Sequence, residues 1–254
     1  MRKIALQLYT VREQAQKDFI GTLKQVAAIG YKGIEAGGTL GGLPVKELRD
    51  ILNDLGLTFV GGHIGTNNIN SSLEALLEDY VALGARYIGT SWLPEEYRKD
   101  VASWQRAGRL LEKAATMCVK HDLTFFHHNH NMEFVKMEDG RYGFDVLLDS
   151  TDPFLLKAEL DVYWAQVAGV DAVAYLKHLD GRAPLLHIKD MTADEARTFE
   201  IVGDGVIDFP AIFAAGDPLD VDWYIVEQDQ CPKGEIESAR ASYQNIASRG
   251  WLGS

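Results

Sequence analysis

The chain has 254 residues, a hydrophobic share of 46% and a formal charge of −12. That length admits two small domains or one barrel, and the apolar share suits a globular protein with a sizeable core. The acidity argues against nucleic acid and anionic membrane as partners, and the lack of any run of about 18 apolar residues excludes a helical membrane span.

Short apolar runs alternate with longer amphipathic ones along the whole chain. Strands are predicted at Lys3 to Tyr9, Gly33 to Ala36, Thr58 to Gly61, Tyr87 to Gly89, Thr124 to His127, Leu155 to Asp161, Pro184 to Ile188 and Trp223 to Glu227. Helix-like stretches such as DFIGTLKQVAAIG, VKELRDILNDLG and SLEALLEDYVALG lie between them. In the first, Phe19, Leu23, Val26 and Ala27 recur at helical spacing and form one apolar stripe. Gly30, Gly56 and Gly84 each stop a helix just before the next strand. Ser71 or Ser72 is predicted to cap the third helix, with Glu74 completing a reciprocal box.

Eight such units in one domain spanning residues 1–254 predict a single (β/α)8 TIM barrel. A doubly wound sheet would alternate similarly but normally has fewer strands, and no GxGxxG or P-loop follows the first strand. The glycine-rich GGTLGG at 37–42 reads as a loop over the barrel mouth. Cys118 reads as a core residue of a helix, and Cys231 follows the eighth strand with no adjacent histidine to activate it. Unpaired cysteines and the absence of a signal peptide in MRKIALQLYTVRE lead us to expect a cytoplasmic protein.

Four polar residues close four successive hydrophobic segments in the second half: Glu133, Asp161, His187 and Glu227. A barrel gathers its C-terminal strand ends around one pocket, so these distant residues are predicted to meet there and hold a divalent metal. Their oxygen-rich mixture suits Mn2+ best, with Mg2+, Co2+ or Zn2+ as alternatives. Taken singly, each has a plain structural explanation: a surface charge, a helix cap, a core histidine, a salt-bridge partner. The segment FFHHNHNMEF is the densest local signal, and alternation sends His128 and His130 to one side and His127 and Asn129 to the other. His130 is a candidate proton-transfer or substrate group and Glu133 a candidate ligand, with His127 as the competing first ligand. His63 at the third strand is a further candidate for proton shuttling. Glu35, Trp164, Lys189 and His128 are candidate substrate contacts, and Gln7 is another hydrogen-bonding group in the first strand. Asp190 is placed to orient Lys189.

The ordered motifs LQLYTVR, GIEAG, HNHNMEF, ELDVYW, LLHIKD, VGDGVIDFPAIF and IVEQD resemble the xylose isomerase-like barrel superfamily, in particular its sugar phosphate isomerase/epimerase group. The resemblance covers nearly the whole chain. It implies a metal held by Glu, Asp, His and Glu near the ends of strands five to eight, carried over to Asp161, His187 and Glu227. At strand five, His127 stands where the group's glutamate would be, and Trp164 replaces a histidine common after the aspartate. Both departures fit an HNH-bearing branch, some of whose members resemble lyases on 3-keto sugars.

The predicted chemistry is proton abstraction beside a carbonyl through a metal-stabilised enediolate, with Glu227 and His130 as proton-transfer groups. The first reading is a sugar or sugar phosphate isomerase/epimerase acting on a small polyhydroxylated substrate. The alternatives are a lyase or dehydratase on a keto sugar or inosose, and a sugar-binding barrel without catalysis. A nuclease of the same superfamily is disfavoured by the acidity and by the single quartet of ligands. The sugar, its phosphorylation and a homo-oligomeric state stay open.

Overall fold

The structure, a computed structural model, describes residues 1–37 and 40–253. Eight parallel strands close into a barrel: β1 Ile4–Gln7, β2 Gly33–Gly37, β3 Thr58–His63, β4 Tyr87–Thr90, β5 Thr124–His128, β6 Leu156–Asp161, β7 Leu185–Ile188 and β8 Trp223–Val226. β8 pairs with β1, Ile4 lying opposite Tyr224, so the sheet has no free edge. The helices between strands, from Phe19–Ile29 to Glu235–Ser248, wrap the outside. The alternating apolar runs thus form a single-domain (β/α)8 barrel.

Leu23 and Val26 of the first long helix are buried against the strands. Gly56 and Gly84 end their helices in the left-handed region, at φ 65° and 80°. Two local expectations change. β1 stops at Gln7 rather than Tyr9, because the Gln7 side-chain oxygen accepts from the Tyr9 N–H at 3.2 Å and turns the chain into a 3-10 helix, Leu8–Val11. Ser72 precedes helix Leu73–Leu83 without a side-chain capping bond; its Oγ instead accepts from Asn68 Nδ2, and Ser71 Oγ donates to Asn67 O. The preceding helix Thr66–Ser71 takes both hydroxyls. The 37–42 loop falls partly on Gly38 and Thr39, outside the described residues.

The apolar interior is divided. Ala5, Val60, Tyr87, Phe126, Leu185, Trp223 and Ile225 fill the lower barrel as a cluster separate from the core between strands and helices. This plug leaves only the upper barrel for polar side chains. Between β2 and β3 the register shifts at Ile34/Glu35. The extra β3 residue lets both Val60 and His63, three apart, face the interior, which strict alternation would forbid. Gly62 and Gly89 make the crowding tolerable there, since a Cβ on either would run into a backbone carbonyl oxygen, of Ala36 or of Phe126.

Candidate metal centre

The inward positions at the upper ends of the strands are polar, and they form two tiers. The upper tier is Asp161, His187 and Glu227, whose ligand atoms all lie within 4.8 Å of one another. The lower tier is His63, His128, Glu159 and the same His187, again within 4.8 Å. Asp161 and Glu159 are two apart on β6 and therefore share a face; His187 and Lys189 do the same at β7. Glu227 follows the last residue of β8.

In the lower tier one carboxylate oxygen collects three imidazoles. Glu159 Oε2 lies 2.7 Å from His63 Nε2, 3.0 Å from His128 Nδ1 and 3.3 Å from His187 Nε2. Glu35 sits beside it, its Oε2 accepting from Gln7 Nε2 at 2.7 Å and lying 2.7 Å from His187 Nε2. In the upper tier, His187 Nδ1 lies 2.8 Å from Glu227 Oε2. The Lys189 ammonium, 2% exposed, bridges Glu227 Oε2 at 2.6 Å, Asp161 Oδ2 at 3.0 Å and Asp229 Oδ1 at 3.0 Å.

The charges of this network are set by burial working against neighbours. Burial raises the Asp161 carboxyl to about 6, and burial plus the nearby Glu159 charge raises Glu35 to about 7. Burial opposes ionisation of Glu227 too, but Lys189 and His187 hold it well below the usual range. Lys189 and His187 overcome their own desolvation through these carboxylates and stay charged. His128 is driven neutral by burial and by the neighbouring His187 charge. Glu35 Oε1, Glu159 Oε1 and Asp161 Oδ2 are buried without a hydrogen-bond partner; the last has ion-pair contacts with Lys189 and, at 3.6 Å, His128. Unsatisfied buried carboxylate oxygens beside imidazole nitrogens fit a divalent cation, and this His/Asp/Glu cluster is consistent with holding one.

The β5 exit splits by side. Inward, His128 joins the tiers, while His130 rises to the mouth between Trp92 and Trp164, at ring distances of 5.8 and 5.5 Å. Burial lowers His130 to about 4, so its ring is neutral at pH 7. Outward, His127 contacts Thr90 Oγ1 at 3.0 Å and Glu133 Oε1 at 3.4 Å, and Glu133 Oε2 accepts from the His130 backbone N–H at 2.7 Å. Glu133 is fully buried there and is in neither convergent group, so the structure does not bring it or His127 to Asp161, His187 and Glu227. The physical reason is the 3-10 turn Asn131–Phe134, which folds Glu133 back behind the strand tip. Asn129 takes a role of its own: its Oδ1 accepts from Asp161 N at 2.9 Å and its Nδ2 donates to Asp161 O at 3.3 Å.

A cavity of about 450 Å³ opens above the tiers, lined among others by Tyr9, His63, Trp92, His130, Lys189 and Glu227. Trp164 stands against Lys189, whose Nζ is 5.8 Å from its ring centroid. Glu35, expected at the substrate, lies instead beneath His187 and is fully buried. Asp190, expected to orient Lys189, turns away; its carboxylate accepts from the backbone N–H groups of Met191, Gly203, Gly205 and Ile207 and so closes the VGDGVID loop. Cys231 is raised by burial to about 11, which leaves it an unreactive thiol. Sequence reasoning missed Glu159 and Asp229. The signal was present for both, each lying two residues from a chosen carboxylate, Glu159 on the same face of β6 and Asp229 in the segment that follows β8.

A family model described as xylose isomerase-like TIM barrel matches residues 23–246. An inosose dehydratase from Geobacillus kaustophilus is 28% identical over 249 residues, covering 83% of this chain and 80% of that protein. An inosose dehydratase from Clostridium perfringens is 23% identical over 256 residues, covering 85% and 84%. A crystal structure of a sugar phosphate isomerase/epimerase from Parabacteroides distasonis superimposes with a TM-score of 0.89 at 23% identity, covering 99% of this chain and 96% of that one. At that identity it shows the shared fold.

Proposed function

The chain belongs to the xylose isomerase-like TIM barrel family, and we propose that it is a metal-dependent dehydratase acting on a keto sugar or inosose. The observation that carries this reading is the convergence of Asp161, His187 and Glu227 within 4.8 Å beneath a cavity at the strand ends. The isomerase/epimerase expected first from the motifs gives way to its alternative, because the curated relatives reported above are named dehydratases. Both share enolate chemistry, so the site needs no different residues.

Asp161, His187 through Nδ1, and Glu227 would hold the cation, with His128 Nε2, 3.6 Å from Asp161 Oδ2, as a fourth donor. A divalent cation bound there would supply Lewis acidity toward a ketone oxygen. His130, neutral and at the mouth, accepts the proton from the carbon next to the ketone. Burial makes the resulting imidazolium more acidic than an exposed one, and it hands that proton to the hydroxyl on the next carbon. The C–O bond breaks as the C=C bond forms, and the net change is loss of one water. Lys189 keeps its ammonium beside the ligand carboxylates and stabilises the oxyanion that develops. Trp92 and Trp164 flank His130 and offer apolar walls to a ring.

Incubation of the protein and Mg2+ with inososes and keto sugars, followed by NMR and mass spectrometry, tests this. A product one water lighter is expected, with turnover falling at least about 100-fold in His130→Gln. A product of unchanged mass would restore the isomerase/epimerase reading in its place.

A further inference from the structure

His128 and His187 each stand between the two tiers with one ring nitrogen facing up and the other facing down. His128 Nε2 looks toward Asp161 Oδ2 at 3.6 Å, while its Nδ1 meets Glu159 Oε2 at 3.0 Å. His187 Nδ1 looks toward Glu227, while its Nε2 meets Glu35 Oε2 at 2.7 Å and Glu159 Oε2 at 3.3 Å. The downward nitrogens of both rings therefore converge on one buried carboxylate. We infer that Glu159 is a positioning residue that selects which nitrogen of His128 and of His187 is free to bind a cation. This rests on the metal-site reading proposed above.

The physical argument is one of donor and acceptor accounting. An ionised carboxylate only accepts hydrogen bonds, so every imidazole nitrogen directed at it must carry its proton. A neutral imidazole has one N–H and one lone pair; fixing the N–H below leaves the lone pair above for a cation, directly at the neutral His128 and, at the charged His187, once cation binding displaces the Nδ1 proton that faces Glu227. Glu159 is fully buried and lies beneath the layer that a substrate reaches, so it cannot act by touching the substrate. Its place follows from the sheet: it is directly opposite His128 across β5 and β6, while Asp161, two residues on, is opposite His187 across β6 and β7. His63 Nε2 takes a further position on the same oxygen, and Glu35 shares the load at His187. The assignment is thus asymmetric. His128 depends on Glu159 alone, whereas His187 has two carboxylates below it.

Glu159→Gln separates this role from simple packing. Glutamine keeps the shape but replaces one acceptor oxygen by an NH2 donor, which favours an imidazole lone pair where the N–H must be. In the Zn2+-loaded wild type, 15N–1H correlation spectra are expected to show His128 protonated at Nδ1 and bound through Nε2, and His187 protonated at Nε2 and bound through Nδ1. In Glu159→Gln, His128 is expected to change its protonated nitrogen, and Zn2+ affinity by calorimetry to fall by roughly 10- to 100-fold. Glu35→Gln is expected to perturb His187 and leave the His128 pattern intact, so the inference stays testable should Glu159→Gln fail to fold. Three results would overturn it: unchanged affinity and spectra in a folded Glu159→Gln, the opposite nitrogens bound in the wild type, or a cation held by the lower-tier nitrogens themselves. Asp161→Ala and His187→Ala serve as controls for the premise. Undiminished Zn2+ binding in both would remove the metal site itself, whereas loss in both with Glu159→Gln unaffected would remove only the role of Glu159.

Discussion

Lys189 holds a buried ammonium against Asp161, Glu227 and Asp229, and the first two are proposed metal ligands. Together with the charged His187 beside Glu227, this side chain balances their charge. Replacing it with methionine leaves three carboxylates facing one another in a poorly solvated place, a change that typically costs about 3–5 kcal/mol. The metal-free Lys189→Met protein is therefore expected to melt lower than wild type. Added Mn2+ should restore more stability to it than to wild type, because the cation no longer competes with an ammonium for Asp161 Oδ2 and Glu227 Oε2. Paired thermal melts with and without Mn2+ check this; equal gains in both proteins would show that Lys189 does not compete.

At the scale of elements, the exit of β5 decides the shape of the site. Its alternation sets His128 and His130 on one side and His127 on the other, and that much was readable from FFHHNHN; the structure turns the first pair into the barrel and its mouth. The 3-10 turn that follows was not readable. It carries Glu133 to the outer side, where the carboxylate steadies the His130 backbone and His127. Asn129 fastens the same exit to the tip of β6 by pairing with both the N–H and the C=O of Asp161. Asn129→Ala would orphan two buried backbone groups at about 1–3 kcal/mol each and release the residue that precedes the helix Val162–Val167. We expect loss of stability in urea together with weaker metal binding, and Asn129→Asp, which keeps only the acceptor, should recover part of both. Weakened stability with undiminished metal affinity would mean that Asn129 braces the fold and not the ligand.

At the scale of the whole molecule, the barrel divides its interior into an apolar plug and a polar mouth. Ligands from β6, β7 and β8, three neighbouring strands of the sheet, meet only once those strands are paired, so a cation bound there favours the folded barrel. A ligand present at a hundredfold excess over its Kd stabilises the native state by about 2.7 kcal/mol. For a domain of this size that corresponds to roughly 5–10 °C in Tm. Mn2+ is expected to raise the Tm of the wild type by such an amount and that of Asp161→Ala hardly at all. An equal rise in both would place the cation elsewhere.

The sequence by itself determined the barrel, because strand and helix periodicities and the glycine stops are local properties that any window of the chain displays. It also marked Asp161, His187 and Glu227, since each lies at the end of an apolar run where the hydrophobic pattern breaks. Only the tertiary structure decided the depth of each polar group and its partners. Glu159 and Asp161 look alike in the chain, yet two residues along β6 separate a carboxylate buried under two histidines from one at the upper tier. The β3 register shift that turns His63 inward, and the 3-10 turn that turns Glu133 away, depend on neighbouring strands and so leave no periodic trace in their own segments. Alternation fixes the face of a side chain, while closure of the barrel fixes what it meets there.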